Sequence, residues 1–296
     1  MQSKVNMAEL RELYNQNVNI IQYLEKYYSH LKKTEIIKIS YDLQAGSYIN
    51  YANSNKDFLD LYTGLIAKEL EQFKFDNILE VGCGEATTLK NVVKKLNTPV
   101  DYFGFDISLS RLLYGNQYLQ DLENNGYLFT GDLFNIPLLD NSVDVVYSSH
   151  SLEPNGGSEE KILKELYRIT NKYIVLLEPT YEFADDVAKE RMVSHGYVID
   201  LYKTVCELGY KVIEHRKFET CSNPLNPTGL IIIEKDACNI DKKGEYFRCP
   251  ISNYPLTRAD DVYYSKNGGY VYPIISNIPC LLSDNAVLST HYEKFI

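Results

Sequence analysis

The residues of this 296-residue chain whose types and spacing bring chemistry together are Gly82 and Gly84, Asp106, Asp132 and His150. Ile78 to Val81 reads as a short strand, interrupted by Glu80, that runs straight into Gly82-Cys83-Gly84, with a helical pattern from Ala86 onward. A strand, a glycine turn and a helix N-terminus let backbone approach a nucleotide-like ligand closely, although a glycine connection also occurs in α/β domains without one. Asp101 to Asp106 is a second short run that ends on a carboxylate, where a doubly wound sheet places the acid for ribose hydroxyls. Tyr127 to Leu133, containing Asp132, and Val143 to His150 are a third and a fourth. Ligands of an open α/β sheet bind outside the carboxyl ends of its strands, so these groups converge on one crevice.

The elements that must position them follow from periodicity. Apolar residues at Leu10, Tyr14, Val18, Ile21 and Leu24 make one amphipathic helix of Met7 to Lys33, a lid, a cap or a dimer contact. Helices are expected over Lys56 to Phe73, Thr87 to Leu96 and Leu109 to Leu122, and over Glu159 to Ile169 behind the N-cap residue Ser158. Tyr173 to Pro179 is an unbroken apolar run of the kind a buried parallel strand needs, and Tyr210 to Phe218 and Leu230 to Glu234 supply two more strands. Strand and helix alternate throughout, which implies right-handed crossovers. Recognition of a substrate is expected between Tyr181 and His195, after the fifth strand, where Tyr181 and Arg191 are the binding candidates; a charge run there also reads as a solvated face.

Taken as a set, Leu79-Glu-Val-Gly-Cys-Gly-Glu-Ala86, Gly104-Phe-Asp-Ile-Ser108, Gly131-Asp-Leu133 and Asp144 to Glu153 resemble successive motifs of the class I S-adenosylmethionine-dependent methyltransferases, over about residues 40 to 235. The dinucleotide fingerprint would want a small residue at 87, where Thr87 stands, whereas Ala86 suits the methyltransferase form. The resemblance implies a seven-stranded Rossmann-like α/β fold whose last two strands form an antiparallel hairpin. It also assigns tasks. Gly82, Cys83 and Gly84 make room for the methionine part of S-adenosylmethionine, whose ammonium meets Glu80 or backbone carbonyls. Asp106 takes the ribose hydroxyls, Ile107 packs on the adenine, Asp132 accepts from the adenine amino group, the Leu133 amide donates to the ring, and Ser149 joins them. Gln44, Ser47 and Tyr48 are candidates for a segment that closes over the cofactor, with an ordinary turn as the alternative. The histidine of the related Leu-Glu-His pattern is Pro154 here, so His150 is the nearest imidazole and the expected general base, with His195 next; His150 would otherwise shape the pocket.

Residues 245 to 283 read as short strands and turns, and resemble the small zinc-ribbon-like domain of methyltransferase activator subunits. Ser252 stands where a second ligand would follow Cys249, and Cys280 is alone, so no metal is expected. The domain organisation that follows is a helical cap over 1–55, a cofactor-binding domain over 56–240 and a small β-rich unit over 241–296. A net charge of -10 argues against nucleic acid as the main partner. There is no apolar run of membrane-spanning length and no signal-peptide core, and the six cysteines lack paired close spacing, so a cytoplasmic protein with reduced thiols is expected. The functional expectation is methyl transfer to a hydroxyl or other heteroatom of a small molecule or sugar, in surface-polysaccharide or natural-product assembly. RNA methylation through the appended unit and a non-catalytic, activator-like binding protein are the alternatives.

Overall fold

The computed structural model describes residues 4–237 and 245–296, so the expected boundary at 240/241, and Cys238 with it, lies outside the described residues. Four helices open the chain: α1 (Met7–Asn15), α2 (Ile20–Tyr27), α3 (Lys33–Leu43) and α4 (Ser47–Ser54). The single amphipathic helix expected over Met7 to Lys33 is thus two. Asn17 adopts φ 61° and stops the first, and the Asn19 side chain accepts from the Gln22 amide to start the second. Leu10, Ile20, Leu24, Tyr28 and Ile36 bury one another and give these helices a core of their own.

The central sheet has the order β3-β2-β1-β4-β5-β7-β6, built from β1 (Asn77–Val81), β2 (Asp101–Asp106), β3 (Gly126–Thr130), β4 (Val143–Ser149), β5 (Thr170–Pro179), β6 (Lys211–Lys217) and β7 (Thr228–Glu234). β7 enters antiparallel to β5 and β6, and the neighbours of β1 are parallel. Strand side chains alternate between faces. Ile78, Val145, Tyr147 and Val175 pack beneath α5 (Lys56–Leu70), α6 (Thr87–Lys95) and α7 (Leu109–Tyr118). Leu79, Val81, Val146 and Ile174 face α8 (Glu159–Ile169) and α10 (Leu201–Glu207), while α9 (Asp186–Ser194) packs Ala188 and Met192 into a small separate cluster. Ser158 does stand at the N-cap position of α8, but its side chain makes no capping bond.

The C-terminal segment forms β8 (Thr257–Ala259), β9 (Val262–Ser265), β10 (Tyr270–Ile275), β11 (Ile278–Pro279) and β12 (Val287–Leu288), all antiparallel. Its apolar residues Phe247, Leu256, Tyr263, Tyr272 and Leu281 belong to the same buried cluster as Phe103 and Phe129 of the main sheet. Cys280 bridges Thr130 at the β3 edge, and the Leu281 amide donates to Thr130 Oγ1 at 2.9 Å. An otherwise open sheet edge is thereby covered.

Candidate active site

β1 is the strand on either side of which the order reverses, and the carboxyl ends of β1, β2 and β4 lie level: Val81 pairs with Phe105 on one side and Ser148 on the other. A cleft of about 420 Å³ opens there. Its lining includes Glu80, Gly82, Cys83, Asp106, Ile107, Asp132, Leu133, Ser149 and His150, so the strand-end residues expected to meet do meet. Gly82 turns at φ 62°, and a Cβ there would stand 2.5 Å from Ser151 Cβ; this position tolerates nothing larger than glycine. Asp132 does not close a strand, since β3 stops at Thr130, and its Oδ1 instead accepts from the Phe134 amide at 2.9 Å while the residue still lines the cleft.

Asp106 is buried and already engaged. Its Oδ2 accepts from the Gly84 amide at 3.0 Å, its Oδ1 from the Ser108 amide at 2.9 Å, and Arg111 Nη1 lies 3.4 Å from Oδ2. The Arg111 head fills the space over Gly84, where a Cβ would be 2.2 Å from Nη2, and its Cζ stands 4.5 Å from the Tyr48 ring centroid and 5.3 Å from that of Tyr41. Glu80 is enclosed beneath the turn, where burial pushes its carboxyl up to about 8 against the hydrogen bond from Tyr147 Oη at 3.1 Å.

Two carboxylates fasten the N-terminal helices over this turn. Glu85 accepts from the amides of Gly46 at 2.8 Å and Ile49 at 2.7 Å, at the start of α4. Asp42 of α3 accepts from Ser108 Oγ at 2.7 Å and Ser110 Oγ at 2.9 Å, at the start of α7. Each places negative charge at a helix N-terminus, where the free amides favour it. Tyr41 and Tyr48 reach the cleft by this route; Gln44, the C-cap of α3, and Ser47 are not in its lining.

The lining also includes His150, Ser151, which lies against Gly82, and Glu153, Arg191, Tyr197 and Asn226. His150 adopts φ 51°. Its Nδ1 lies 3.3 Å from Glu153 Oε2 and its Nε2 2.7 Å from Thr228 Oγ1, and Asn226 Nδ2 donates to the same Glu153 oxygen at 2.9 Å. Both ring nitrogens therefore have a polar partner. Burial depresses the His150 pKa, but the Glu153 hydrogen bond and the charges of Glu178 and Glu153 outweigh it, and the net direction is upward. Glu178 underlies the loop, accepting from the Ser151 amide at 3.1 Å and the Leu152 amide at 3.2 Å, and burial lifts its carboxyl to about 7.

Of the expected residues, His195 and Tyr181 join Gln44, Ser47 and Gly84 outside this lining. His195 is the exposed C-cap of α9, its Nδ1 held 2.8 Å from the Arg191 carbonyl, and Tyr181 lines a separate surface depression with Asp186 and Lys189. Packing of Ala188 and Met192 orients α9 so that Arg191 alone of the substrate-side candidates reaches the site. Arg111, Tyr41, Glu85, Glu153 and Asn226 are the residues that motif reading passes over. Arg111 carried one signal, a charged residue in the first turn of a helix just after a strand-end acid; Asn226, 76 positions from His150, carried none.

Residues 78–172 match the family model described as a methyltransferase domain. No curated protein matches the chain. Among solved structures, a complex between the Haloferax volcanii Trm112 methyltransferase activator and a methyltransferase aligns at 14% identity and TM-score 0.51, covering 66% of this chain and 96% of that one. The magnesium protoporphyrin IX methyltransferase of Synechocystis with bound SAH aligns at 13% identity and TM-score 0.47, covering 61% and 83%. A SAM-dependent methyltransferase from Aquifex aeolicus follows at 18% identity and 0.44, covering 56% and 87%. Likeness at this level is a likeness of fold. The stretch similar to a methyltransferase domain, residues 78–172, lies within the seven-stranded sheet, with helices before it and a β-rich segment after it. No helix among the described residues is long and apolar enough to cross a membrane, and no group of three or more His, Cys, Asp or Glu among them is arranged to hold a metal.

Proposed function

We propose that the chain methylates a hydroxyl of a small molecule or sugar, holding S-adenosylmethionine at the Gly82 end of the cleft and the acceptor at the His150 end. The observation that carries this reading is the cleft itself, one continuous space lined both by Gly82, Asp106 and Asp132 and by polar side chains without a cofactor task, Arg191 and Asn226 among them. The residues fit the cofactor. Glu80 is a buried carboxylate beside the turn, able to meet an ammonium, and Asp106 uses three of about four acceptor positions, one of them on the long Arg111 contact. Bound there, the cofactor supplies a methyl group on a sulfonium for direct displacement. Tyr41, Tyr48, Asp132 and Leu133 line the same space and would frame it.

Transfer of this kind depends mainly on alignment. A hydroxyl acceptor also needs a proton acceptor, and we assign that task to the His150–Glu153 pair, Glu153 holding Nδ1 while Asn226 holds Glu153 and the Thr228 hydroxyl gives up Nε2. Asp106→Ala should abolish most S-adenosylmethionine affinity by calorimetry, because the substitution removes the acceptor for ribose and the anchor of the Gly84 amide. Unchanged affinity would refute the cofactor assignment. Release of S-adenosylhomocysteine with a panel of hydroxylated metabolites tests turnover.

A further inference from the structure

Arg191 stands apart among the arginines of this protein. Those that are at least half-buried otherwise, Arg111, Arg168, Arg216 and Arg248, each lie within 4 Å of a carboxylate. Arg191 lines the cleft with no carboxylate at that range among the described residues. Its Cζ sits 5.4 Å from the Tyr197 ring centroid, and its Nη2 makes a long 3.4 Å contact with Tyr197 Oη. Its Nη1 is shielded from solvent and has no hydrogen-bond partner among the described residues. Two other atoms of the same lining share that condition, Ser151 Oγ and Asn226 Oδ1. A buried polar atom left unpaired costs about 1–3 kcal/mol, so three in the lining of one cavity mark it as the place of a missing polar partner.

We propose that the methyl acceptor carries an oxyanion, a carboxylate or a phosphate, that pairs with the Arg191 guanidinium, while Asn226 Oδ1 and Ser151 Oγ take its hydroxyls. The inference rests on the reading of this cleft as a methyl-transfer site and names the acceptor class. A guanidinium presents a planar fork that matches carboxylate and phosphate oxygens, and the Tyr197 ring holds that plane from one side. The cofactor's own carboxylate is the rival partner. Arg111 answers it better, because its guanidinium already occupies the space over Gly84 beside Asp106. The acidic neighbours Glu153 and Glu178 are spoken for, by Asn226 and His150 and by the amides of Ser151 and Leu152, so they leave Arg191 uncompensated.

The test uses the full chain saturated with S-adenosylhomocysteine and ligand-observed NMR titration with glucuronate, glucose 6-phosphate and glucose. One or both anionic probes should bind at least about tenfold more tightly than glucose, the gain expected of a charge-assisted hydrogen bond, and which anion wins separates carboxylate from phosphate. Arg191→Gln should erase that preference and leave S-adenosylhomocysteine affinity unchanged, and Arg191→Lys should restore part of it. Equal binding of all three probes, failure of both anions to bind, or an unaltered preference in Arg191→Gln would overturn the proposal. Loss of S-adenosylhomocysteine affinity in Arg191→Gln would also overturn it, by giving the guanidinium to the cofactor. If wild-type protein does not bind S-adenosylhomocysteine at all, the methyltransferase reading of the cleft fails first and takes the acceptor with it.

Discussion

If the proposed cofactor site is right, Glu80 is the side chain whose protonation should report on the cofactor. Burial holds its carboxyl near 8, so at pH 7 much of it is neutral in the empty cleft. An ammonium brought against it favours the charged form, and binding of S-adenosylmethionine at pH 7 is expected to release a fraction of a proton. Calorimetry in buffers of different ionisation enthalpy measures this, and Glu80→Gln should abolish the release; a wild-type enthalpy independent of buffer would remove Glu80 from the cofactor's contacts. The same shift has a stability consequence. Glu80 and Glu178 are raised from the ordinary 4.5 to about 8 and about 7, so between those values the folded chain holds protons that the unfolded chain has lost. Their contribution to stability is therefore full below 4.5 and lost as pH rises through 7 to 8. Urea midpoints at pH 5.5, 7 and 8.5 should fall in that order for the wild type, and less steeply for Glu80→Gln. For the His150–Glu153 pair, His150→Ala and Glu153→Gln should each slow turnover ~10²–10⁴-fold with cofactor binding intact, and the rate should recover at high pH where a hydroxyl ionises unaided. Near-normal rates across pH 6 to 9 would leave alignment as the sole catalytic device.

At the scale of elements, the cleft is roofed by helices that carry no motif and are held by two carboxylates. Glu85 gathers the first amides of α4, and Asp42 the first groups of α7, so the roof and the glycine turn are fastened reciprocally. Glu85→Ala should cost about 1 kcal/mol or somewhat more in urea unfolding, the range of a lost helix cap, and should also weaken S-adenosylmethionine binding as Tyr48 loosens. A fall in stability without any change in affinity would show that the roof is structural only.

At the scale of the whole molecule, one buried cluster runs from the main sheet into the C-terminal segment. Phe247, Tyr263 and Tyr272 are buried against the same cluster as Phe103 and Phe129, and ring contacts of 5.0 Å join Phe129 to Phe247 and Phe247 to Tyr263. Each large side chain so buried is worth roughly 1.5–3 kcal/mol, and several together match the few kcal/mol that keep a domain folded. A chain ending before residue 245 is expected to lose its cooperative urea transition or to aggregate. A soluble truncated protein with the wild-type midpoint would show instead that the segment is an independent attachment.

The chain's linear order by itself determined the sheet and the cofactor end of the cleft. Apolar runs closed by Gly82, Asp106 and His150 are local signals, and alternating strand and helix allow few ways to stack them, all with strand ends on one side. What only the tertiary structure decided is which distant groups complete the site. The partners of His150 come from Glu153, Asn226 and Thr228, two of them more than seventy positions away on a loop and a strand added antiparallel at the far side of the sheet. Arg191 enters and His195 and Tyr181 do not, because buried Ala188 and Met192 choose the rotation and the end of α9 that faces the cleft. A charge pattern along one helix is compatible with any rotation of it, and only packing against the rest of the chain selects one.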